Sequence, residues 1–285
     1  MLVACLGGFI IPVPASAPDV SVFVAQQAAQ LSVTQLQQLA RSIAVKVRSK
    51  DVLGSGILIR KQGNVYTVVT NDHVLLAGDP PYRIETPDGK IHLAVKIQAT
   101  SLKGNDLGLL QFRSDNNYAV AAFGPAPVLG EQVFAAGFPF AEETSNFGIS
   151  VFSKNGFVFK TGEVSLVLDK PLLRGYRIGY TNDLEKGMSG GPLLNRRGEV
   201  VAVNGMHAEP ILDSAYVFQD GSEPSASLRE QMRRYSWGIP IETFVNLVPI
   251  KNPVSPQNHG SIPNIVTETG FLTTPVYVEK LNLKS

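Results

Sequence analysis

The amino-acid sequence predicts an all-β fold, either a barrel or a sandwich, and two observations lead to this prediction. Short runs of β-branched and aromatic residues follow one another from Ile43 onward. Turn sequences rich in Gly, Pro, Asn and Asp separate these runs, as in antiparallel β proteins. The chain is long enough for two barrels, at about residues 43–125 and 126–250, with the crossover expected near residues 123–130.

The first predicted strand begins where the hydrophobic pattern becomes alternating. Ile43, Val45 and Val47 alternate with smaller or charged residues, which is typical of a half-buried strand. Later runs are bounded by turn sequences such as Pro87-Asp88-Gly89-Lys90. We expect further strands at residues 54–59, 65–70, 91–97, 107–112, 132–136, 156–159 and 176–181.

Three segments outside these strands have helical spacing. Ser32 can cap a short helix that runs to Arg41, in which Leu36 and Leu39 share one face. Residues 225–234 and 241–248 are also predicted to be helical, and the second of these helices is expected to pack on the second barrel. Residues 251–285 lack periodicity and are expected to form a mostly flexible tail, with room for one strand near residues 276–278.

Composition and charge exclude several classes of function. The net charge of +1 gives no electrostatic reason to expect a nucleic acid as partner. No stretch of the predicted mature chain approaches the roughly 20 apolar residues that span a bilayer, so no membrane span is expected. The single cysteine, Cys5, excludes an intrachain disulfide and a cysteine-based zinc cluster. We expect no metal and no organic cofactor.

The first 17 residues carry no charge and are mostly apolar. They end in Ala15-Ser16-Ala17, a small-x-small pattern that predicts a cleaved signal peptide and an exported protein, periplasmic or extracellular. The positively charged start of such a peptide is missing, so a loosely packed apolar terminus is the alternative. Residues 18–42 are interpreted as a linker followed by the short helix.

The first candidate for chemistry is Ser189, which lies in Gly187-Met188-Ser189-Gly190-Gly191-Pro192. A serine hydroxyl is a weak nucleophile unless a base takes its proton, and its attack on a carbonyl creates an oxyanion that needs donors. Glycines let the chain bend so that the N–H groups of Gly187 and Ser189 can form an oxyanion hole. The same residues also fit a plain tight turn between strands.

The serine sequence also fits the G-x-S-x-G turn of α/β-hydrolases, but its surroundings exclude that fold. An α/β-hydrolase needs a helix after the serine, whereas residues 193–203 are predicted to form a hairpin. It also needs an acid and then a histidine downstream. Only His259 follows the acids Asp213 and Asp220, and it lies in the predicted tail, so we reject this alternative.

Upstream of Ser189, one histidine and one acid stand at the ends of predicted strands. His73 follows the strand at residues 65–70, whereas His92 lies inside a strand, where a solvent-facing position is expected. Asp106 precedes the apolar run 107–112, and a carboxylate buried there needs a partner such as a histidine N–H. We therefore predict His73, Asp106 and Ser189 as a catalytic triad, although each alone also fits a structural polar residue.

Four segments of the sequence resemble the trypsin-like peptidases of bacteria. In chain order they are GSGI at 54–57, TNDHV at 70–74, DLGLL at 106–110 and GMSGGPL at 187–193. The likeness covers about residues 43–250, extends to the protease domain of the Deg (HtrA) proteins and is closer to cyanobacterial trypsin-like peptidases. It implies a chymotrypsin-like fold of two six-stranded antiparallel β-barrels with a C-terminal helix.

The sequence departs from these families at two points. Deg proteins usually carry a PDZ domain after the protease, and residues 251–285 are too few for one, so none is expected there. Met188 stands where many relatives have Asn and where zymogen-type digestive relatives have an Asp that receives a new N-terminal amine. Methionine cannot form that ion pair, so we predict no activation switch of this kind.

Substrate specificity is read from the resemblance alone. Asp183 lies six residues before Ser189, the spacing of the pocket-floor aspartate in trypsin, which implies cleavage after Lys or Arg. A loop-capping carboxylate is the alternative for this residue. Asn204, Gly205 and Met206 are predicted to form the opposite pocket wall, and His207 is interpreted as a loop histidine.

These observations predict a serine-type endopeptidase that cleaves protein or peptide substrates through an acyl-enzyme intermediate. In this hypothesis His73 is the base and then the acid, while Asp106 orients it. The alternative is a catalytically silent binding or scaffold protein on the same trypsin-like fold.

Overall fold

The computed structural model describes residues 30–49, 53–99, 102, 104–141, 151–152, 156–208 and 216–248. The predicted signal peptide, Cys5 and the predicted tail with its strand lie outside these residues. Within them, two closed six-stranded antiparallel β-barrels and a two-stranded sheet account for the strands. The prediction of an all-β fold with two barrels is confirmed, and both units are barrels rather than sandwiches.

The first barrel contains six strands in the order β1-β2-β3-β6-β5-β4. Their bounds are β1 Ala44–Arg48, β2 Leu53–Gln62, β3 Val65–Thr70, β4 Tyr82–Glu85, β5 Ile91–Ile97 and β6 Gly108–Arg113. Two helices accompany this barrel, α1 Val33–Ile43 before β1 and α2 Asp72–Leu76 after β3.

The second barrel has the strand order β10-β11-β14-β13-β12-β7. Its strands are β7 Gln132–Gly137, β10 Val158–Val167, β11 Ile178–Tyr180, β12 Pro192–Leu194, β13 Val200–Met206 and β14 Ser236–Pro240, and β8 Phe140–Ala141 pairs with β9 Val151–Phe152. The helices are α3 Ala226–Met232 and α4 Ile241–Leu247. In the part of the chain that the structure describes, no helix has the length and hydrophobicity to cross a bilayer.

Helix α1 extends further than its sequence pattern predicts. Ser32 and Gln35 form a reciprocal capping box, in which each side chain accepts the other residue's backbone N–H. The helix buries Leu36, Ala40 and Ile43, which share one face at helical spacing. Ile43 was predicted to begin the first strand. It is instead the last helical residue, because its burial fits the helical face, and β1 begins at Ala44.

A shared hydrophobic core fixes the two barrels against each other. Ile57 and Val69 of the first barrel belong to the same buried cluster as Phe134, Val203 and Ile239 of the second. The connections that carry functional groups meet along this junction. They are α2 after β3, the turn before β6, the β10–β11 connection and the β11–β12 loop.

Candidate active site

Ser189 lies in the β11–β12 loop, which contacts the first barrel through its backbone. The N–H of Ser55 in β2 donates to the carbonyl of Ser189 at 2.8 Å. Gly190 has φ +85°, and a Cβ on it would lie 2.1 Å from the carbonyl oxygen of Ser55. Two facts therefore require glycine at position 190. The backbone at Ser55 approaches it too closely for a Cβ, and its own backbone is left-handed.

The backbone next to Ser189 leaves two amide N–H groups without protein acceptors among the described residues. The Lys186 carbonyl accepts the N–H of Phe140 at 3.1 Å, and a trans peptide directs the following N–H, that of Gly187, to the opposite side. Among the described residues, the amides of Gly187 and Ser189 donate to no protein acceptor. These two N–H groups are therefore free to bind an anion.

His73 and Asp106 form a close pair at one end of the adjacent strands β3 and β6. His73 lies in α2, and both its backbone N–H and its ring bind the carboxylate. The N–H donates to Oδ1 at 2.8 Å, and Nδ1 lies 2.6 Å from Oδ2. Asp106 is 1% exposed, whereas the His73 side chain is 37% exposed. The imidazole is thus anchored at Nδ1 and reaches solvent at its other edge.

Two further side chains bind the same carboxylate, and the sequence patterns did not identify them. Arg174 Nη2 donates to Asp106 Oδ1 at 2.8 Å, and the Tyr176 hydroxyl donates to Oδ2. Burial alone would raise the pKa of Asp106. The hydrogen bond and charge of His73, the hydroxyl of Tyr176 and the charge of Arg174 outweigh burial, so the pKa is lowered. Burial and the neighbouring carboxylate raise the pKa of Tyr176 well above its ordinary value.

The Ser189 hydroxyl donates to the carbonyl of Gly205 at 3.1 Å. Among the hydrogen bonds of the described residues, none joins Ser189 to His73. In this arrangement the Ser189 hydroxyl is therefore bound to β13 and not to the imidazole.

The structure places Asp183 away from a buried pocket floor. Its side chain is 84% exposed, and its Oδ2 lies 3.3 Å from Nζ of Lys160. Lys160 also pairs with Glu185 at 2.7 Å. The neighbouring Asn182 points inward instead and donates to the carbonyls of Val133 and Lys160. Asp183 is therefore an exposed residue that forms an ion pair with Lys160.

Asn204, predicted as part of the pocket wall, is fully buried inside the second barrel. Its Oδ1 accepts the hydroxyl of Tyr180 at 2.9 Å, and its Nδ2 donates to the carbonyls of Ala136 and Pro192. Gly205 and Met206, which follow it on β13, are partly exposed. Within the predicted wall, Gly205 and Met206 are thus available to a ligand, whereas the Asn204 side chain is part of the framework.

The other two described histidines have local partners. His92 lies in β5, where its Nε2 is 3.3 Å from the Thr86 hydroxyl and 3.2 Å from the Tyr118 hydroxyl. His207 Nδ1 lies 2.7 Å from the carbonyl of Ala208. Of the described histidines, His73 is the one bonded to Asp106.

Two antiparallel barrels, with a histidine–aspartate pair and a glycine-rich serine loop at their junction, define the chymotrypsin-like class of fold. Residues 54–203 match the model of the trypsin-like peptidase domain. Because this match covers just over half of the chain, the chain belongs to that family.

Similar proteins are serine proteases of the HtrA type. The serine protease Do-like HtrA of Bacillus subtilis is 31% identical over 54% of this chain and 33% of its own length. The serine endoprotease DegS of Salmonella typhimurium is 26% identical over 64% of this chain and 47% of its own length. The mitochondrial serine protease HTRA2 of Drosophila erecta is 30% identical over 68% of this chain and 44% of its own length. The chain thus matches between a third and a half of the length of these relatives.

The fold also matches a solved structure, that of the serine endoprotease from Yersinia pestis. The TM-score is 0.51 at 19% identity, and the match covers 76% of this chain and 65% of the other. At this identity the likeness demonstrates the fold alone.

Proposed function

We propose that this chain is a serine endopeptidase that hydrolyses peptide bonds with Ser189, His73 and Asp106. The observation that carries the proposal is the pairing of a buried, charged Asp106 with the ring of His73. This pair stands at the junction of the barrels, where the Ser189 loop also binds the first barrel. The names of the HtrA-type relatives support the same activity.

In the proposed reaction, Ser189 Oγ attacks the carbonyl carbon of the scissile peptide while His73 Nε2 takes the hydroxyl proton. His73 then donates this proton to the leaving amine, and an acyl-enzyme remains on Ser189. Water, deprotonated by His73, attacks the ester carbonyl, the bond to Ser189 Oγ breaks, and His73 returns the proton to Ser189 as the acid product leaves. Asp106 stays ionised throughout, because its donors keep its pKa low, and it stabilises the imidazolium.

The amides of Gly187 and Ser189 are the proposed donors to the oxyanion. Their lack of acceptors among the described residues supports this role. Gly205 and Met206 are proposed to contact the substrate beside the nucleophile, since the Gly205 carbonyl lies 3.1 Å from Ser189 Oγ. Proteins or peptides are the proposed substrates. Export remains a prediction from the composition of residues 1–17.

Labelling with a fluorophosphonate probe tests the proposal, because the probe reacts only with an activated serine. We expect the full chain to be labelled, and Ser189→Ala and His73→Ala to remain unlabelled. Circular dichroism spectra would establish that each variant is folded. Labelling that persists in Ser189→Ala would contradict the assignment of the nucleophile.

One observation favours a second candidate, a catalytically silent member of the same fold. The Ser189 hydroxyl donates to Gly205 and not to His73. If folded wild-type protein resists the probe across the pH range, this second candidate replaces the first.

A further inference from the structure

We infer that Tyr176 and Arg174 are positioning residues for Asp106, and that they connect the second barrel to the acid of the triad. This inference rests on the proposed function. Asp106 belongs to the first barrel, whereas both residues lie in the connection between β10 and β11 of the second. Half of the four donors to the carboxylate therefore come from the opposite barrel.

The backbone of this connection is fixed directly against Asp106. The carbonyl of Arg174 accepts the N–H of Asp106 at 2.8 Å, and Arg174 also pairs with Asn105 in a short parallel bridge. Arg174 has φ +66°, a left-handed backbone that residues with a Cβ rarely adopt. Such a conformation persists only where the surroundings impose it, and it is frequent at functional sites. Here it directs the carbonyl and the guanidinium of one residue to Asp106.

Tyr176 contacts the acid of the proposed triad and the strand beside its serine. Its hydroxyl binds Asp106, and its ring lies directly under β13 at Gly205. A Cβ on Gly205 would lie 2.5 Å from both Cε1 and Oη of Tyr176. The carbonyl of Gly205 is the acceptor of the Ser189 hydroxyl. Tyr176 is therefore a rigid spacer between the carboxylate that orients His73 and the strand beside the nucleophile.

The role of these donors can be recognised from how the rate of fluorophosphonate labelling depends on pH. The titratable and charged groups that bind Asp106 are His73 from α2, and Arg174 and Tyr176 from the β10–β11 connection. Removing a donor leaves more negative charge on the carboxylate, which favours the imidazolium form of His73. A higher pH is then needed to obtain the neutral base, so the acid limb of the rate profile moves to higher pH. A residue that only supports folding would not move this limb.

The test measures the second-order rate of fluorophosphonate labelling against pH for wild type and three variants. For Tyr176→Phe we expect a loss of about 10- to 100-fold, with the acid limb moved up by about 0.5–1 pH unit. For Arg174→Gln, whose side chain is 49% exposed, we expect a loss of about two- to fivefold in the same direction. Tyr216→Phe, which removes a buried hydroxyl bonded to the Met232 carbonyl, should behave as wild type.

The outcomes separate the inference from the proposed function. If wild type is labelled at Ser189 while folded Tyr176→Phe and Arg174→Gln keep its rate and its acid limb, the inference is wrong and the proposed function stands. If folded wild type is not labelled, the proposed function fails and the positioning role fails with it. If Tyr176→Phe does not fold, the Arg174→Gln variant still tests the inference. The Arg174 side chain is half-exposed, so its substitution removes no buried side chain.

Discussion

At the scale of the residue, Asp106 keeps a negative charge in a place that water hardly reaches. A buried carboxylate is stable only when donors replace its hydration, and Asp106 has them from His73, Arg174 and Tyr176. Their combined effect lowers its pKa despite burial. In the proposed mechanism it therefore orients and stabilises His73 without taking its proton.

Replacing Asp106 by Asn tests this role. The amide keeps the shape of the side chain but presents an N–H group to His73 and favours the wrong imidazole tautomer. We expect fluorophosphonate labelling at neutral pH to fall by up to about 10⁴-fold, the loss of turnover known for the same change in a chymotrypsin-like triad. Asp220→Asn, at an exposed ion pair with Lys170, is the control and should label normally. Equal labelling of the two variants would exclude an orienting role for Asp106.

The contacts of Asp106 also mark where sequence reasoning ended. His73 and Asp106 could be predicted from the sequence because each stands at a strand end beside a recognisable pattern. Arg174 and Tyr176 lie 68 and 70 positions from Asp106, on the other barrel, where no local pattern marks them. The available signal was indirect: a carboxylate expected to be buried needs more donors than one histidine supplies. Asp183 is the opposite case. Its spacing from Ser189 matches that of the pocket aspartate in trypsin, but its side chain is exposed to solvent.

Asp88, in the turn between β4 and β5, is a second carboxylate with many donors. Burial would raise its pKa, but hydrogen bonds from Thr86, the Lys90 backbone, Tyr118 and Asn116 lower it from 3.8 to about 2. Because the pKa is lower in the folded state, the ionised group stabilises the fold above its unfolded pKa. This contribution is lost as pH falls toward the folded value.

We therefore expect the stability difference between wild type and Asp88→Asn to depend on pH. It should be constant from about pH 5 to 7 and should shrink between about pH 4 and 2. Urea unfolding at each pH measures it. A difference that stays constant down to pH 2 would mean that the hydrogen bonds of Asp88 do not favour its ionised form.

At the scale of the element, the serine loop depends on its contact with β2 and β3 of the other barrel. Ser55 binds it through the backbone, and Thr70 Oγ1 donates to the Ser55 carbonyl at 2.7 Å. Gly190 is placed against both residues, since its Cβ would lie 2.1 Å from Ser55 O and 2.4 Å from Thr70 Oγ1. The left-handed turn at Gly190 thus lies in close contact with both strands of the other barrel.

Gly190→Ala should displace the loop and with it the amides of the proposed oxyanion hole. We expect labelling to fall about 100-fold or more, in the range observed when one oxyanion donor is lost. Gly89→Ala is the matched control, because Gly89 has a similar φ of +80° but no atom within 4 Å of a Cβ. Both variants carry the backbone cost of about 1–2 kcal/mol, so only the clash distinguishes them. Normal labelling of Gly190→Ala would show that the loop does not need this contact.

Sequence patterns predicted most strands but missed, among others, β4 and β14. β4 alternates between buried and more exposed residues but is only four residues long, whereas β14, Ser236–Pro240, contains Gly and Pro and is buried throughout, so it has no recognisable period. β10 was predicted to end at Phe159 but continues to Val167. The prediction stopped short because residues 160–163 are polar or glycine and interrupt the apolar run, although Val164 and Leu166 beyond them pack on the core. Ile43 was misassigned because helix and strand meet at adjacent residues.

At the scale of the whole molecule, three hydrophobic clusters divide the core. One fills the first barrel, one fills the second, and the largest joins both barrels with α1 and α4. Along β2, Leu58 faces the first barrel's own cluster, while Ile57 and Ile59 face the shared one. Because neither barrel buries its apolar surface alone, we expect the two to unfold together.

Leu58→Ala tests this cooperativity. The change removes side chain only from the first barrel's cluster and should cost about 2–5 kcal/mol. Trp237, the single tryptophan, lies on β14 of the second barrel and is buried in the shared cluster, so its fluorescence reports on that strand and on the junction of the barrels. We expect its unfolding midpoint in urea to move with that of the far-ultraviolet circular dichroism signal. An unchanged tryptophan midpoint would indicate two independent folding units.

The division of the site between two barrels also bears on synthesis. A ribosome completes the first barrel, with His73 and Asp106, before it has made Arg174, Tyr176 or Ser189. On the proposed function, a half-made chain therefore carries a base without a nucleophile, and its acid lacks two of the donors that fix it. The chain could therefore hydrolyse neighbouring nascent proteins only after β14, the last strand in sequence order, has completed the second barrel.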